Sequence, residues 1–464
     1  MIFNDLKKTG AAEKEDDTED FDGDSDPCCC KCCGKKRCTW RRGIIITSIV
    51  VVVLALAAFV YIRVAYKGFF VPKCANPKRG IASLEDFNAC VQEIYDMYDM
   101  VGLSVALVTT STSTSNASDT TSSHQWNGNY GAAVLGNATI EAIPITKTFI
   151  GVAVMQQVEA GVLDLDEDIN SYLTSFQVVN PLVDANANDI ITLRSLSTHT
   201  AGIIDSDAYD ASYVPASEEL TMPTLEVFLQ SYFIPGGADY NANNNFLNCR
   251  AGVDCPYEYS NIGASLAALV VEQAIGISYH QYVEESILQP LQMNNSHFYY
   301  DNYTDPFSVI AMPYEEGEDG YYSYPTYPDG HLLTSANDMA RYLSHGVMTT
   351  GNELLFTNPT RTIPAMLTPE FAVSLPKSEQ WVYGDPNEQA IFWTYLRNNA
   401  YGHDGGDYGS MTLMYFEPTQ QAGIVVLSNY APLNAFISLL RLTKQVTRHS
   451  EQVKNLLLAL PESE

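Results

Sequence analysis

The sequence predicts an α+β fold that is preceded by one membrane-spanning segment. Residues 101–108 are a short apolar stretch with several β-branched residues, which indicates a buried strand, and paired strands are predicted at 410–417 and 422–429. Segments with the apolar spacing of helices occupy the middle and the end of the chain. The predicted helices are 147–160, 262–275, 335–347, 434–446 and 451–460. Strands near both ends of a helix-rich middle are typical of the α+β class.

The composition is that of a globular protein with a strongly acidic balance. Hydrophobic residues make up 46% of the 464 residues, so a large core can form. Lys plus Arg number 25 against 55 Asp plus Glu, which gives a net charge of −30. Residues 63–464 alone carry 16 basic and 45 acidic residues. A polyanion of this kind repels phosphate backbones, so a nucleic-acid partner is excluded.

Two segments of unusual composition precede the apolar run. Residues 1–27 contain ten acidic residues against three basic ones and few apolar residues, which predicts a disordered acidic tail. Residues 28–42 form a collar of cysteine and basic residues, in which six cysteines lie within eleven positions among six Lys or Arg. On the reducing side of a membrane such cysteines favour S-acylation, and unmodified thiols are the alternative.

The run 43–62 predicts a transmembrane helix. Its twenty residues include only Thr47 and Ser48 as polar side chains, and a helix of that length spans about 30 Å. A cleavable signal peptide is the alternative, because Ala55 to Ala57 resemble a small-residue cleavage site. Residues 63–83 are interpreted as a linker to a domain that occupies 84–464.

Features after the span predict its orientation. Four glycosylation sequons follow it, at Asn116, Asn137, Asn294 and Asn302. Four cysteines also follow it, Cys74, Cys90, Cys249 and Cys255, and they are compatible with Cys74–Cys90 and Cys249–Cys255 bridges. Both features favour a luminal or extracellular C-terminal domain and a cytosolic N-terminus in a single-pass protein. Chance occurrence of sequons in an Asn-rich chain is the alternative.

Two local patterns surround the first predicted helix of the domain. The Ser/Thr-rich tract 109–123 cannot supply a core and predicts an exposed hairpin loop. The helix 147–160 is apolar around most of its circumference, which predicts burial, and Gly161 follows its end. Pro144 lies just upstream, where its fixed φ and missing N–H are tolerated in a first turn.

Four motifs occur in a fixed order along the domain. They are the segment Lys147 to Asp168, the segment Ile191 to Gly202 with Thr-His-Thr-Ala-Gly, Tyr259-Ser260-Asn261, and His403-Asp404-Gly405. In this order, over about 84–446, the chain resembles the serine β-lactamase and penicillin-binding protein superfamily, in the branch of class C β-lactamases, DD-peptidases and esterases. The resemblance implies a β-lactamase-like fold, an antiparallel sheet flanked by helices with a mostly helical subdomain.

The resemblance also implies a site, and the chain departs from it at the position that matters most. The family uses a serine nucleophile, a lysine three residues later that takes its proton, and a tyrosine that relays protons. The family-like positions are Lys147, Tyr259, Asn261 and His403, with Gly405 and Gly406 beside them for ligand binding. Pro144 stands at the nucleophile position and has neither a hydroxyl nor the backbone N–H that forms half of the family's oxyanion hole.

No other residue is a convincing nucleophile. Thr146 adjoins Lys147, and one step along a helix turns a side chain about 100° away. Ser374 belongs to the literal Ser-x-x-Lys of the chain, but Pro376 within that motif favours an extended loop.

These observations give three hypotheses of function. The first is a membrane-anchored pseudoenzyme that acts in binding or scaffolding, with a peptide or a small ester or amide as a possible ligand. The second is an esterase or amidase in which water or a substitute nucleophile attacks. The third is a purely structural or adhesive surface protein whose pocket is collapsed.

The remaining motifs predict no cofactor. The eight histidines are scattered and form no metal-binding pattern, and His199 and His331 are interpreted as structural. Eight tyrosines lie between 299 and 327 among acidic residues. Tyrosine-rich loops form good recognition surfaces, and solvated turns are the alternative interpretation.

Overall fold

A computed structural model describes residues 71–115, 118–131, 140–184, 189–303, 309–315, 318–351, 353–372, 388–396, 399–430 and 432–461. The described residues all lie within one compact unit, Val71–Glu464. The predicted tail, collar and transmembrane helix therefore lie outside the described residues. Among the described residues no single helix is long and apolar enough to cross a bilayer; Asn261–Ile275 and Tyr279–Leu288 pass that test only as a pair, bent by 80°.

An eight-stranded antiparallel sheet forms the centre of the part of the chain that the structure describes. Its strands run in the order β2-β1-β14-β13-β12-β11-β10-β9. These strands are β1 (Gly102–Ser115), β2 (Ser118–Gly131), β9 (Phe371–Ala372), β10 (Glu388–Gln389), β11 (Thr394–Leu396), β12 (Ala400–Asp407), β13 (Ser410–Glu417) and β14 (Ala422–Ser428). Two-residue strands form three small ladders, β3 (Ile140–Glu141) with β8 (Leu333–Thr334), β4 (Val214–Pro215) with β7 (Tyr322–Ser323), and β5 (Tyr314–Glu315) with β6 (Glu318–Asp319).

Helices cover both faces of the sheet. The α-helices are α1 (Leu84–Met97), α2 (Lys147–Glu159), α3 (Leu193–Ser197), α4 (Asp207–Asp210), α5 (Leu225–Phe233), α6 (Ala242–Asn245), α7 (Asn261–Ile275), α8 (Tyr279–Val283), α9 (Ala336–Arg341), α10 (Pro359–Leu367), α11 (Leu433–Arg448) and α12 (Ser450–Leu457). Single-turn 3₁₀ helices include Ile143–Thr146 and Tyr327–Asp329, and π-helical turns extend α8 over Glu284–Leu288 and α9 over Tyr342–Val347.

The alternation of side chains along the sheet strands separates two cores. In β1, Val105 and Leu107 belong to one core and Ala106 and Val108 to the other, because successive residues point to opposite faces. The first core packs against α1, α11 and α12. The second is larger and joins the sheet to the mostly helical region that contains α2 and α7. The predicted α+β arrangement of an antiparallel sheet and a helical subdomain is thus present.

Much of the Ser/Thr-rich tract 109–123 is strand rather than the loop that the sequence predicts. Its described residues extend β1 to Ser115 and begin β2 at Ser118, with Thr109 paired to His124 and Ser115 to Ser118. Thr109 is fully buried. Threonine is β-branched and favours extended structure, and this propensity outweighs the polar composition on which the loop prediction rested.

The two predicted disulfides, Cys74–Cys90 and Cys249–Cys255, are present. The first ties the segment before α1 to that helix, and Ala75 and Ile81 of the same segment are buried in the core. Residues 71–83 of the predicted linker therefore pack against the domain.

Candidate active site

The segment that carries the nucleophile in the family is here a turn of 3₁₀ helix that leads into α2. The turn spans Ile143–Thr146, with Pro144 in its first positions, and Lys147 begins the α-helix. Ile143 has φ of 44°, which is rare for a β-branched residue and costs conformational energy. Strained backbone of this kind clusters at functional sites and persists because the surrounding packing enforces it.

Pro144 lies directly against strand β12. A Cβ atom placed on Gly405 would lie 2.3 Å from Cγ of Pro144, so no side chain fits between the strand and the proline ring. Gly405 therefore provides close approach of the backbone to the position of the family nucleophile. Gly406 is the next residue and points to the opposite face of the sheet, because side chains alternate along a strand.

Lys147 is held by two strong hydrogen bonds at the base of the site. Its Nζ donates to Oδ1 of Asn261 at 2.6 Å and to the backbone carbonyl of Asp329 at 2.7 Å. The Asp329 carboxyl lies 4.0 Å away, and the ring of Tyr259 lies 5.0 Å from Nζ. Lys147 is only 1% exposed. Both hydrogen-bond acceptors are carbonyl oxygens, so the lysine does not activate a hydroxyl in this arrangement.

Burial controls the charge of Lys147 and of its neighbour. It lowers the pKa of the Lys147 amine, while the carboxylates of Asp329, Asp205 and Asp407 oppose that shift. Burial raises the pKa of the Asp329 carboxyl to about 7, against the effect of Lys147. Each group is therefore shifted towards its neutral form at neutral pH.

Asp205 positions Asn261 although no sequence motif marks it. Its carboxylate accepts hydrogen bonds from the Ser260 hydroxyl at 3.0 Å and from the backbone N–H groups of Asn261 and Ile262 at 2.8 and 3.0 Å. These donors lie at the N-terminus of α7, where an anion is favourable. Because Asp205 is distant from 261 in sequence, no local signal could have identified this role.

Tyr259 contributes an unpaired hydroxyl. Among the described residues its hydroxyl oxygen is buried without a hydrogen-bond partner, and burial raises its pKa well above 10. Its ring lies 4.5 Å from the ring of His199 and 6.2 Å from that of His403. An unpaired buried hydroxyl carries a free-energy cost and is available to a ligand or a water.

His403 is neutral at physiological pH. Its Nδ1 lies 3.0 Å from the carbonyl of Asp404, and burial lowers its pKa to about 3, with the nearby charge of Lys147 acting in the same direction. The site face of β12 therefore offers an uncharged imidazole. His199 accepts a hydrogen bond from the backbone N–H of Ser260 at 3.2 Å, and both ring nitrogens of His331 contact backbone carbonyls at 2.9 Å. These contacts fit the structural roles predicted for both histidines.

The structure brings the predicted site residues together. One cluster contains Lys147, Tyr259, Asn261 and His403. At its edge Pro144 lies against Gly405. Thr146 is fully buried and donates its hydroxyl proton to the carbonyl of Gly330 at 3.0 Å, so it faces away from the lysine. Ser374 lies outside the described residues.

Other predicted residues have different outcomes. Asn294 and Asn302 are exposed, whereas Asn116 and Asn137 lie outside the described residues. Half of the eight tyrosines between 299 and 327 pack inside the domain, namely Tyr300, Tyr322, Tyr324 and Tyr327, whereas Tyr314 is exposed. A segment of tyrosines that stack on one another has the same composition as a tyrosine-rich binding loop. Sequence alone therefore does not distinguish packing from binding. Among the described residues no group of three His, Cys, Asp or Glu could hold a metal ion.

The site and the fold together define a class of protein. The beta-lactamase family profile matches residues 87–446. The chain belongs to the beta-lactamase family, within the serine β-lactamase and penicillin-binding protein-like superfamily.

Sequence relatives are distant and cover part of the chain. Beta-lactamase-like protein 2 of Dictyostelium discoideum is 28% identical over 261 residues, which are 54% of this chain and 42% of that protein. Protein flp of Staphylococcus aureus (strain COL) is 23% identical over 294 residues, which are 61% of this chain and 51% of that protein. The chain thus spans about half the length of the curated relatives that it matches.

Solved structures share the fold. The octameric penicillin-binding protein homologue from Pyrococcus abyssi superposes with a TM-score of 0.56 and 21% identity over 77% of each chain. The beta-lactamase/D-alanine carboxypeptidase from Yersinia pestis gives 0.58 and 16% identity over 78% of this chain and 95% of that chain. The β-lactamase-like fold predicted from the sequence is confirmed, and at these identities the likeness extends to the fold alone.

Proposed function

We propose that this protein is a membrane-anchored member of the beta-lactamase family that does not form an acyl-enzyme and acts in binding or scaffolding. The observation that carries the proposal is Pro144, which stands three residues before Lys147 and whose ring fills the space against Gly405. A small peptide, ester or amide remains the class of ligand that the family resemblance suggests for the site.

The size of the expected catalytic loss follows from what proline lacks. Pro144 has no hydroxyl, so the covalent route is closed, and it has no N–H, whose loss from an oxyanion hole costs about 10² to 10³ in rate. Lys147 has no hydroxyl to deprotonate, since its amine donates to Asn261 and to the carbonyl of Asp329. The site therefore lacks both the nucleophile and a lysine that is positioned to deprotonate one.

Residues 43–62 are the proposed membrane anchor. The cysteine-rich collar 28–42 is proposed to lie on the cytosolic side of the membrane. The Cys74–Cys90 and Cys249–Cys255 disulfides support a domain that folds in an oxidising compartment. The exposed sequons at Asn294 and Asn302 are compatible with the same side of the membrane.

A covalent serine-directed probe tests the proposal. The full-length chain in membranes is incubated with a fluorophosphonate or a fluorescent penicillin, and labelling is compared with a heat-denatured sample. We expect no labelling above that control. Labelling that disappears in Ser374→Ala or Thr146→Val would identify a substitute nucleophile and overturn the proposal.

The variant Pro144→Ser provides the matched gain-of-function arm, with Pro144→Ala as its control. Both substitutions restore the backbone N–H, but only serine restores the hydroxyl three residues before Lys147. Labelling of Pro144→Ser alone indicates that the remaining machinery is aligned and that the proline silences it. If neither variant is labelled, silencing extends beyond Pro144 to the site around Lys147.

A second candidate function is hydrolysis by a water that Lys147 activates directly. The lowered pKa of the Lys147 amine favours it, because a neutral amine is a base. The near-complete burial of that amine opposes it, because a water needs access to Nζ. Turnover of small esters that is lost in Lys147→Met and in Tyr259→Phe while both variants stay folded would establish this function, and turnover unaffected by either change would assign the activity elsewhere.

A further inference from the structure

A chain of four oxygen atoms links the sheet to the helical region beside Lys147. Oδ1 of Asp329 lies 3.1 Å from the hydroxyl of Tyr209, which lies 3.1 Å from the hydroxyl of Tyr213. The Tyr213 hydroxyl lies 2.7 Å from Oδ2 of Asp407, at the end of β12. Asp329 ends the 3₁₀ turn Tyr327–Asp329, so the chain joins two elements that are far apart in sequence.

The three contacts need more hydrogen atoms than the tyrosines supply. Each hydrogen bond requires one proton between its two oxygens, and each phenol carries one proton. If both carboxyls are ionised, Tyr209 donates to Asp329 and Tyr213 donates to Asp407. The 3.1 Å contact between the two hydroxyls is then left without a proton. A third proton completes the chain, and only a carboxyl can carry it.

A second contact at Asp329 has the same deficit. The hydroxyl of Ser265 lies 3.2 Å from Oδ2 of Asp329 and 3.2 Å from the carbonyl of Thr326. One hydroxyl proton cannot fully satisfy two acceptors. When Asp329 is protonated, one of its oxygens can donate a hydrogen bond. That proton completes one of the two incomplete sets of contacts around the carboxyl.

The surroundings place the extra proton on Asp329 rather than on Asp407. Asp407 also accepts a hydrogen bond from the backbone N–H of Tyr408 at 2.9 Å, and that donor favours a carboxylate. Asp329 is 2% exposed and its side-chain partners are hydroxyls, which can reverse their direction. The Lys147 amine donates to the backbone carbonyl of Asp329, and its Nζ lies 4.0 Å from the carboxyl itself.

The charged and titratable groups around Asp329 come from every element packed against it. They are Lys147 of α2, Asp205 just before α4, Tyr209 and Tyr213 at α4, Tyr259 just before α7, and Asp407 of β12. Two of these are further carboxyls, whose negative charge disfavours a third one nearby. Burial and these carboxyls thus act together against ionisation of Asp329, and Lys147 acts in the opposite direction.

We infer that Asp329 is a proton-binding site at neutral pH, and that its proton is shared through Tyr209 and Tyr213 with Asp407. The proton completes the hydrogen-bond chain that holds the end of β12 to the helical region. When the proton is lost, one of the three contacts has no hydrogen atom between its two oxygens. Both Asp329 and Asp407 are then ionised. The inference does not depend on whether the protein hydrolyses anything.

The proton makes stability depend on pH in a defined direction. Burial raises the pKa of Asp329 to about 7 in the folded chain, whereas an unfolded aspartate titrates near 3.8. The folded chain therefore binds the proton more tightly than the unfolded chain. The stabilisation is complete below the unfolded value and is lost as the pH rises towards the folded value.

The test measures the thermal unfolding midpoint of the full-length chain in detergent from about pH 4 to about pH 9. Burial raises the pKa of Glu219 to about 7 as well, so all chains carry Glu219→Gln to remove that titration. In this background we expect the midpoint to fall by about 5 °C as the pH rises through the window. Asp329→Asn, which is permanently neutral and keeps the shape, is expected to lack most of that fall.

Two tyrosine variants separate the hydrogen-bond chain from general effects of a lost hydroxyl. Tyr213→Phe removes the 3.1 Å contact between the two hydroxyls that only a third proton can bridge. Protonated Asp329 then loses its advantage over the ionised form, so the fall moves to lower pH. Tyr98→Phe removes a buried tyrosine hydroxyl contact that involves no carboxyl, the 2.8 Å contact with the Ser438 hydroxyl, and leaves the position of the fall unchanged. An unshifted fall in Tyr213→Phe contradicts the inference.

Infrared spectroscopy gives a second measurement that does not require Asp329→Asn to fold. A protonated carboxyl absorbs separately from a carboxylate, and its band shifts when its hydrogen bonds change. In the Glu219→Gln chain at neutral pH we expect such a band, displaced by Tyr213→Phe and not by Tyr98→Phe. Absence of the band, or a band that Tyr213→Phe does not move, overturns the assignment.

Discussion

At Pro144 one residue changes the site in two ways, since it lacks the nucleophilic oxygen and also a backbone N–H. The lysine that follows keeps its place but serves different partners. Its amine holds Asn261 and the Asp329 carbonyl together across the base of the site. Lys147 can therefore act as a structural cross-link, and its removal has consequences for stability that do not require catalysis.

Substitution of Lys147 is predicted to destabilise the domain, and more so when the new side chain is smaller. Lys147→Ala removes both hydrogen bonds and leaves a cavity, at a cost of about 3 to 5 kcal/mol. Lys147→Met fills much of the same space without a buried charge and is expected to cost clearly less. Thermal unfolding of both variants checks the order, and equal losses would show that filling the space contributes little.

Asn294 and Asn302 are predicted to carry N-linked glycans when the protein is made in a eukaryotic secretory pathway. Both side chains are exposed, which leaves room for a sugar. Asn294→Gln and Asn302→Gln should each increase electrophoretic mobility, and the glycosidase PNGase F should remove the difference. Asn244→Gln, at an exposed asparagine outside any sequon, is the control and should not change mobility.

At the scale of elements, sequence periodicity predicted those segments in which apolar positions repeat. The strands at 410–417 and 422–429 correspond to β13 and β14, and the helix at 262–275 corresponds to α7. A hairpin was predicted at 109–123, but the extension of strands β1 and β2 into that tract was missed, because successive residues there are polar and no apolar period exists.

The site shows the same division between local and distant signals. Lys147, Tyr259 and Asn261 lie in short motifs and were predicted from them. Asp205 and Asp329 were missed, because their roles arise only when separate segments meet in space. Neither aspartate lies in a pattern that would distinguish it from the many surface carboxylates of an acidic chain.

Helix α12 lies beyond the family match, which ends at residue 446, yet it completes one core. Leu457 is fully buried, whereas its neighbour Leu458 is 37% exposed. Leu457→Ala is predicted to lower the free energy of unfolding by about 3 kcal/mol, and Leu458→Ala by less than about 0.5 kcal/mol. Denaturant unfolding of this pair measures the contribution of the helix, and similar small losses would mean that α12 is dispensable.

The two disulfides are predicted to contribute unequally. Cys74 and Cys90 are 16 residues apart and Cys249 and Cys255 are 6 apart. Since the entropy removed from the unfolded chain grows with loop length, the first bridge should contribute about 3 kcal/mol and the second about 2 kcal/mol. Unfolding of the paired Cys→Ser variants checks the order. A larger loss at Cys249–Cys255 would indicate strain or packing effects instead.

At the scale of the whole molecule, the centre of the sheet joins the two ends of the domain. Leu103 of β1 pairs with Ser428 of β14, and the strands remain in register to Thr109 and Ala422. The residues between them form the helical region and the rest of the sheet. A chain that stops before Ala422 is therefore predicted to lack a stable core and to be digested rapidly in limited proteolysis, in contrast to the full-length chain. A protease-resistant truncated product would contradict this.

The β1–β14 pairing has a consequence for biosynthesis. A ribosome that makes about 5 to 20 residues per second delivers the partner of β1 only after all the residues between β1 and β14 have emerged. Until then the β1–β2 hairpin presents an unpaired edge, rich in Thr and Val, to the surrounding lumen or cytosol. Newly made chains therefore pass through a long interval in which chaperones have to shield that edge, and the yield of mature protein is expected to depend on them.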